Sequence, residues 1–294
     1  MSIVSIGSTR ASSTLLVLAG VLWGTGGLAS ALLQDSAGLS PAAVAAYRLL
    51  VGGGLATIVC LGQLHYLCNR GAVRKLLVAG SLLAEFQVAY QIAVAQISVS
   101  LATLITIGSA PVFVAVARAV QERRVPGARM SVAVLGAVVG LVLLVGEPSG
   151  VETWRAVSGT GMALLAGGGF ATLTLVTSRQ VAGQHVVTAV ALLLGGTLVA
   201  PFALVTGGMG VPFEVDVIGL LLYLGIVPTA VAYGAYFLGL RHAHPTVAAM
   251  TAMLEPLTAT VLSMVLHDER LGAAGILGAC LIAAALGFAP RATR

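Results

Sequence analysis

The chain has 294 residues, 58% of them hydrophobic and only 9% charged, with 37 glycines and a net charge of +5. A soluble domain carries about 25% charged residues, so this chain cannot hide its apolar surface in a water-solvated fold, and its solvent is lipid. The positive charge would admit nucleic acid as a partner, but its placement along the chain assigns it instead to orientation in a bilayer.

A spanning helix needs about 20 mostly apolar residues. After a short polar tail at residues 1–12, the first such stretch is 13–33, with no convincing signal-peptide cleavage site behind it. Further spans are predicted at 42–64, 76–96, 98–119 and 130–146, which closes a first unit over 13–147. After a loop, spans follow at 158–178, 186–206, 217–239, 246–266 and 271–289, a second unit over 158–289. The expected architecture is therefore an all-α integral membrane protein of ten transmembrane helices. No joint is long enough to form a soluble domain. Cys60, Cys68 and Cys280 have no metal-ligand spacing and read as inert packing or surface residues.

The cations alternate with the predicted spans. Arg10, Arg70, Arg74, Lys75, Arg118, Arg123, Arg124, Arg129, Arg179, Arg241, Arg291 and Arg294 fall on the side of the termini, whereas only Arg155 and Arg270 fall opposite. Cytoplasmic loops are enriched in Lys and Arg, so both termini are expected in the cytoplasm. The expected setting is a bacterial-type inner membrane.

The second unit echoes the first in order and at nearly constant offset. Ala19, Gly20, Trp23 and Thr25 align with Ala166, Gly167, Phe170 and Thr172. Leu49 to Gly53 align with Leu192 to Gly196, and Val88-Ala89-Tyr90 with Val231-Ala232-Tyr233. Ala110-Pro111 aligns with Glu255-Pro256, and Glu122-Arg123 with Glu269-Arg270. A unit with an odd number of spans must place its second copy upside down, so the reading is two inverted five-helix repeats. Inverted repeats build many secondary transporters, with the binding site where the halves meet near the midplane.

These same residues carry a family resemblance. Trp23-Gly24, Pro41 through Arg48, Ala110-Pro111-Val112-Phe113 with Glu122, and Leu254-Glu255-Pro256-Leu257 with Asp268-Glu269-Arg270 resemble the EamA family of the drug/metabolite transporter superfamily. The resemblance covers nearly the whole chain. It implies a ten-helix carrier in two repeats, usually an exporter of amino acids, related metabolites or amphipathic drugs. Phe170 stands where the first unit has Trp23, so the motif is degenerate in the second half.

Three ionisable residues lie inside predicted spans: Arg48, Glu85 and Glu255. Each costs about 2.5–3.5 kcal/mol at a span centre, which marks it as a candidate functional residue. Counted at 1.5 Å per residue, the two carboxylates lie roughly 15 Å deep and Arg48 roughly 10 Å. All three are expected to line a water-filled central cavity. There a carboxylate would bind a substrate ammonium or exchange a proton, and the arginine would clamp a substrate carboxylate. The structural alternatives are a snorkelling or helix-tying Arg48 and neutral, hydrogen-bonded acids. Pro256 cannot donate to Ala252, which would leave that carbonyl for Glu255.

Gln87, Tyr90 and Gln91 lie on a face of the third span different from that of Glu85, and Tyr90 and Gln91 are candidates for substrate contact. Trp23, Tyr47, Tyr90, Tyr233 and Tyr236 are candidate cavity walls. Pro111, Pro228 and Pro256 are candidate hinges interrupting the fourth, eighth and ninth spans. Gly20 with Gly24 and Gly136 with Gly140 have small-residue spacing for helix packing or a dimer seam, so a monomer and a homodimer both remain open.

The sequence contains no nucleotide-binding loop, catalytic constellation or metal set, so no cofactor is expected. The expected partners are a small-molecule substrate, the lipid bilayer and protons. The reading is a secondary-active exporter of small metabolites, with facilitated diffusion or uptake as the alternative coupling and an intramembrane lipid enzyme as the alternative class.

Overall fold

A computed structural model describes residues 2–97, 99–145, 153–179, 181–267 and 272–289. The described residues are helical: α1 (Ser2–Ala37), α2 (Pro41–Val59), α3 (Arg70–Gln96), α4 (Val99–Glu122), α5 (Ala128–Val145), α6 (Thr153–Ser178) and α7 (Gln184–Thr206), followed by α8 (Val215–Gly225), α9 (Ala232–Gly239), α10 (Pro245–Thr251), α11 (Leu254–His267) and α12 (Ala273–Phe288). Among the described residues, seven segments are long and apolar enough to cross a membrane, while α5 and α12 are apolar but shorter. Glu269, the expected echo of Glu122, lies outside the described residues with Asp268 and Arg270.

Several helix boundaries depart from the apolar text for local reasons. The helix of α1 reaches back to Ser2 through the expected N-terminal tail. Ser40 caps α2, its hydroxyl accepting the Ala43 N–H at 3.2 Å with Pro41 just inside. The same helix stops at Val59, short of the expected 64, because the Cys60 N–H turns back to Ala56 and Thr57 and a 3-10 segment follows over Leu61–Cys68.

The eighth and ninth predicted spans are interrupted. Val215–Gly239 is one apolar segment in which a π-helical turn, Ile226–Val231, separates α8 from α9. Pro228 has no N–H for the Leu224 carbonyl, and the Thr229 hydroxyl takes that carbonyl instead at 2.8 Å. The ninth predicted span breaks at Ala252 and Met253, where the N–H groups bond three residues back. Pro256 stands in the first turn of α11, where a proline is tolerated. By contrast α4 runs through Pro111 without interruption.

Helix pairings are reciprocal between the halves. Helix α2 packs on α7, and α5 packs on α12. Helix α3 lies against α6 and α7, while α9 lies against α1 and α8 against α2; α4 meets α6 as α11 meets α1. Gly53 and Gly196, matched in the two units, sit at one crossing where only a glycine fits. A β-carbon at Gly53 would lie 2.6 Å from Leu193 Cα, and one at Gly196 would lie 2.7 Å from Leu50 N. The α5–α12 crossing repeats this device, with a β-carbon at Gly140 falling 2.8 Å from the Gly278 carbonyl oxygen. Small residues let membrane helices approach closely. Gly20 and Gly24 serve α1 likewise, facing Leu254 and the Glu255 carbonyl.

Candidate functional site

The interrupted helices and α1–α4 enclose a cleft. Its wide part, about 320 Å³, reaches the helix ends at Gln34, Asp35, Pro41 and Val99, opposite the end that carries Arg74, Lys75 and Arg179. Its inner part is narrower, about 60 Å³. Trp23, Arg48, Gln87, Tyr90 and Glu255 line both parts. Tyr233 borders the inner part and Gln91 the wide part. The structure thus brings together six of the seven residues singled out for substrate contact or coupling.

Arg48 is held from one side. Its Nε donates to Thr229 Oγ1 at 3.1 Å and its Nη2 to the Pro228 carbonyl at 3.3 Å. The guanidinium therefore fastens α2 to the π-helical turn, close to the helix-tying role weighed above. Of its five N–H donors, these bonds occupy two and leave the Nη1–Nη2 end free for a ligand. Trp23 is held by ring contacts. Its ring centroid lies 5.2 Å from that of Tyr233 and 5.9 Å from that of Phe170, both in edge-on geometry. Its buried indole Nε1 has no hydrogen-bond partner among the described residues. The Tyr90 hydroxyl pairs with Thr103 Oγ1 at 2.6 Å.

Glu255 borders the cleft at the start of α11, just past the break. The Ala252 carbonyl is not left for its carboxyl group: it accepts the backbone N–H of Glu255 itself at 3.0 Å. Glu85 lies apart from the cleft. It points from α3 toward α6, where its carboxylate carbon would be 2.8 Å from a β-carbon at Gly169. Both of its oxygens are buried without a hydrogen-bond partner. A 100° turn per residue separates its face from that of Gln87, Tyr90 and Gln91. Tyr47 and Tyr236 also leave the cavity wall: Tyr47 donates to the Met209 carbonyl at 2.7 Å, and the fully buried Tyr236 pairs with Thr174 at 2.8 Å.

Toward the basic end the cleft is blocked. Leu16, Tyr236, Phe237 and Leu240 fill the bundle beyond Trp23, each at most 2% exposed. Sequence reasoning missed Phe86, Thr103 and Thr106, which border the inner part. They are apolar or hydroxyl-bearing residues in apolar helices, and only the spacing of Thr103 and Thr106, one turn apart on α4, hinted at a shared face.

Comparison with known proteins agrees with this architecture. The model of the EamA-like transporter family matches the chain twice, over residues 11–146 and 157–289. The chain is 28% identical to the uncharacterised transporter YwfM of Bacillus subtilis, covering 92% of this chain and 90% of that protein. It is 26% identical to the uncharacterised inner membrane transporter YicL of Salmonella typhimurium, covering 94% of each. One crystal structure superposes with a TM-score of 0.79 at 19% identity, over 96% of this chain and 97% of that one, a likeness of fold. With a double match that spans nearly all of a multi-pass helical bundle, the chain belongs to the EamA-like transporter family.

Proposed function

We propose that this protein is a secondary-active carrier that exports small metabolites, amino acids or related amines and drugs, by alternating access. In this reading ten spans form two inverted five-helix repeats over 13–147 and 158–289. Both termini are cytoplasmic and the cleft opens outward. The reciprocal helix pairings and the paired glycine crossings support the repeat.

The observation that carries the function is the cleft itself. The Arg48 guanidinium and the ionisable carboxyl group of Glu255 border one space that opens at one end and is packed shut toward the other. A solute with a carboxylate and an ammonium group matches that pair: the free end of the guanidinium takes the carboxylate and Glu255 the ammonium. The wide part of about 320 Å³, which Arg48 and Glu255 also border, receives such a solute, and rearrangement around the breaks at Pro228 and Pro256 would open the packed end. Glu255 is the proposed coupling group, releasing a proton when it binds substrate and regaining one when substrate leaves.

The test begins with a thermal-stabilisation screen of amino acids, amines and nucleobases, since a ligand of the folded state raises its melting temperature. Hits then enter proteoliposome counterflow with and without a pH gradient. The reading requires a gradient-stimulated flux that Glu255→Gln abolishes. Flux unchanged by that substitution at every pH would sink the coupling, and absence of any transported hit would sink the substrate class.

A further inference from the structure

A second cavity, about 720 Å³, lies at the basic end of the bundle between α3, α4 and α6. Among the described residues its lining carries Arg74 and Lys75 from α3, Arg118 from α4 and Arg179 beyond the end of α6, and no acidic residue. We infer that it is a binding site for a phosphate group, carried by an anionic lipid headgroup or by a soluble phosphate.

One of the cavity's cations is held in place by a buried contact. Lys75 is buried, and its ammonium donates to the Arg179 carbonyl, so the cation that closes the end of α6 also fixes where Arg179 stands. A cation at the carbonyl end of a helix is favoured there by the helix dipole. Arg118 forms an ion pair with Glu122 one turn on, through Nη2, while its Nε is buried without a partner. The neighbouring acid is thus already engaged by Arg118. Away from the cations the wall is mostly apolar, with Val78 of α3 and Leu175 and Val176 of α6 beside Thr172. Val73 and Leu77, on the neighbouring face of α3, are exposed as lipid-facing residues would be. Arg74 and Arg179 at the exposed mouth, backed by the buried Lys75 and by Arg118, fit a phosphate that reaches the site from the membrane surface, where basic pockets between helices hold anionic headgroups.

The inference does not depend on transport, so binding tests it separately from the proposed function. The full-length protein is placed in nanodiscs of phosphatidylcholine, alone or doped with phosphatidylglycerol. A parallel arm titrates inorganic phosphate into the neutral discs at constant ionic strength. Phosphatidylglycerol or phosphate is expected to raise the melting temperature by a few degrees through preferential binding to the folded state. The Arg74→Gln/Arg179→Gln variant is expected to lose that rise, and Arg123→Gln/Arg124→Gln, in the adjoining loop outside the cavity, to keep it. A rise with the lipid alone identifies a headgroup, and a rise with phosphate as well identifies a soluble ligand. Failure of both additives to stabilise the wild type, or equal loss in the two double variants, overturns the site and leaves only general attraction of basic loops to anionic membranes. If the first variant does not fold, mass spectrometry of phosphatidylglycerol retained by purified wild type and by Arg179→Gln decides, with equal retention counting against the site.

Discussion

Glu255 and Glu85 are the same side chain at the same reckoned depth, yet their surroundings have little in common. Glu255 follows a helix break and borders a cleft with Arg48, Trp23 and Tyr90. Glu85 sits in the middle of an unbroken helix, pressed against Gly169, with neither oxygen hydrogen-bonded. An acid inside a membrane is a candidate functional group by default, but depth alone does not say which of two acids meets the solute. That depends on helix rotation and on whether the backbone nearby is interrupted.

Glu255→Gln is expected to have the largest effect. Losing a hydrogen bond to a charged group costs about 1.5–3 kcal/mol, so substrate affinity in counterflow is expected to fall about 10- to 100-fold. Thr229→Val comes next. It removes the Arg48 Nε partner and exposes the Leu224 carbonyl that Thr229 satisfies, with an expected loss of about 1–3 kcal/mol. A fall in melting temperature and in substrate binding would show that the π-helical turn positions Arg48; an unchanged binding constant would show that Arg48 holds its place without it.

Gly169→Ala probes the other acid. Its new methyl group must displace the Glu85 carboxylate, and overpacking of this kind costs about 1–3 kcal/mol. Denaturation in detergent should show that loss for the single variant and recovery of much of it in Gly169→Ala/Glu85→Ala, since neighbours in contact are not additive. The smallest effect is expected from Glu85→Gln, which conserves volume and breaks no hydrogen bond. Transport within about threefold of wild type, or about 0.65 kcal/mol, would separate the two acids. A loss matching that of Glu255→Gln would show instead that they act together.

Much of the fold was legible in the apolar text. The segments at 98–119, 186–206 and 217–239 fall within a few residues of α4, α7 and the α8–α9 segment, because a membrane demands both length and continuous apolarity. Gly53 and Gly196 were visible as a repeated motif, though not as the crossing of α2 with α7. The site was legible in part. Arg48 stood out by its charge, but its partners lie 180 and 181 residues away, and nothing local announces them. The three prolines looked alike in sequence. One sits in a π-helical turn, one starts a helix after a break, and Pro111 passes inside an intact helix, because neighbouring groups decide whether a missing N–H opens the backbone.

By itself the sequence determined the solvent, the approximate spans and the family, since each follows from composition and order along one chain. Only the tertiary structure decided which polar residues share a space. That outcome depends on how each helix is rotated and what packs on it, so Arg48 meets Thr229, Glu255 borders the cleft, and Glu85 is turned toward Gly169.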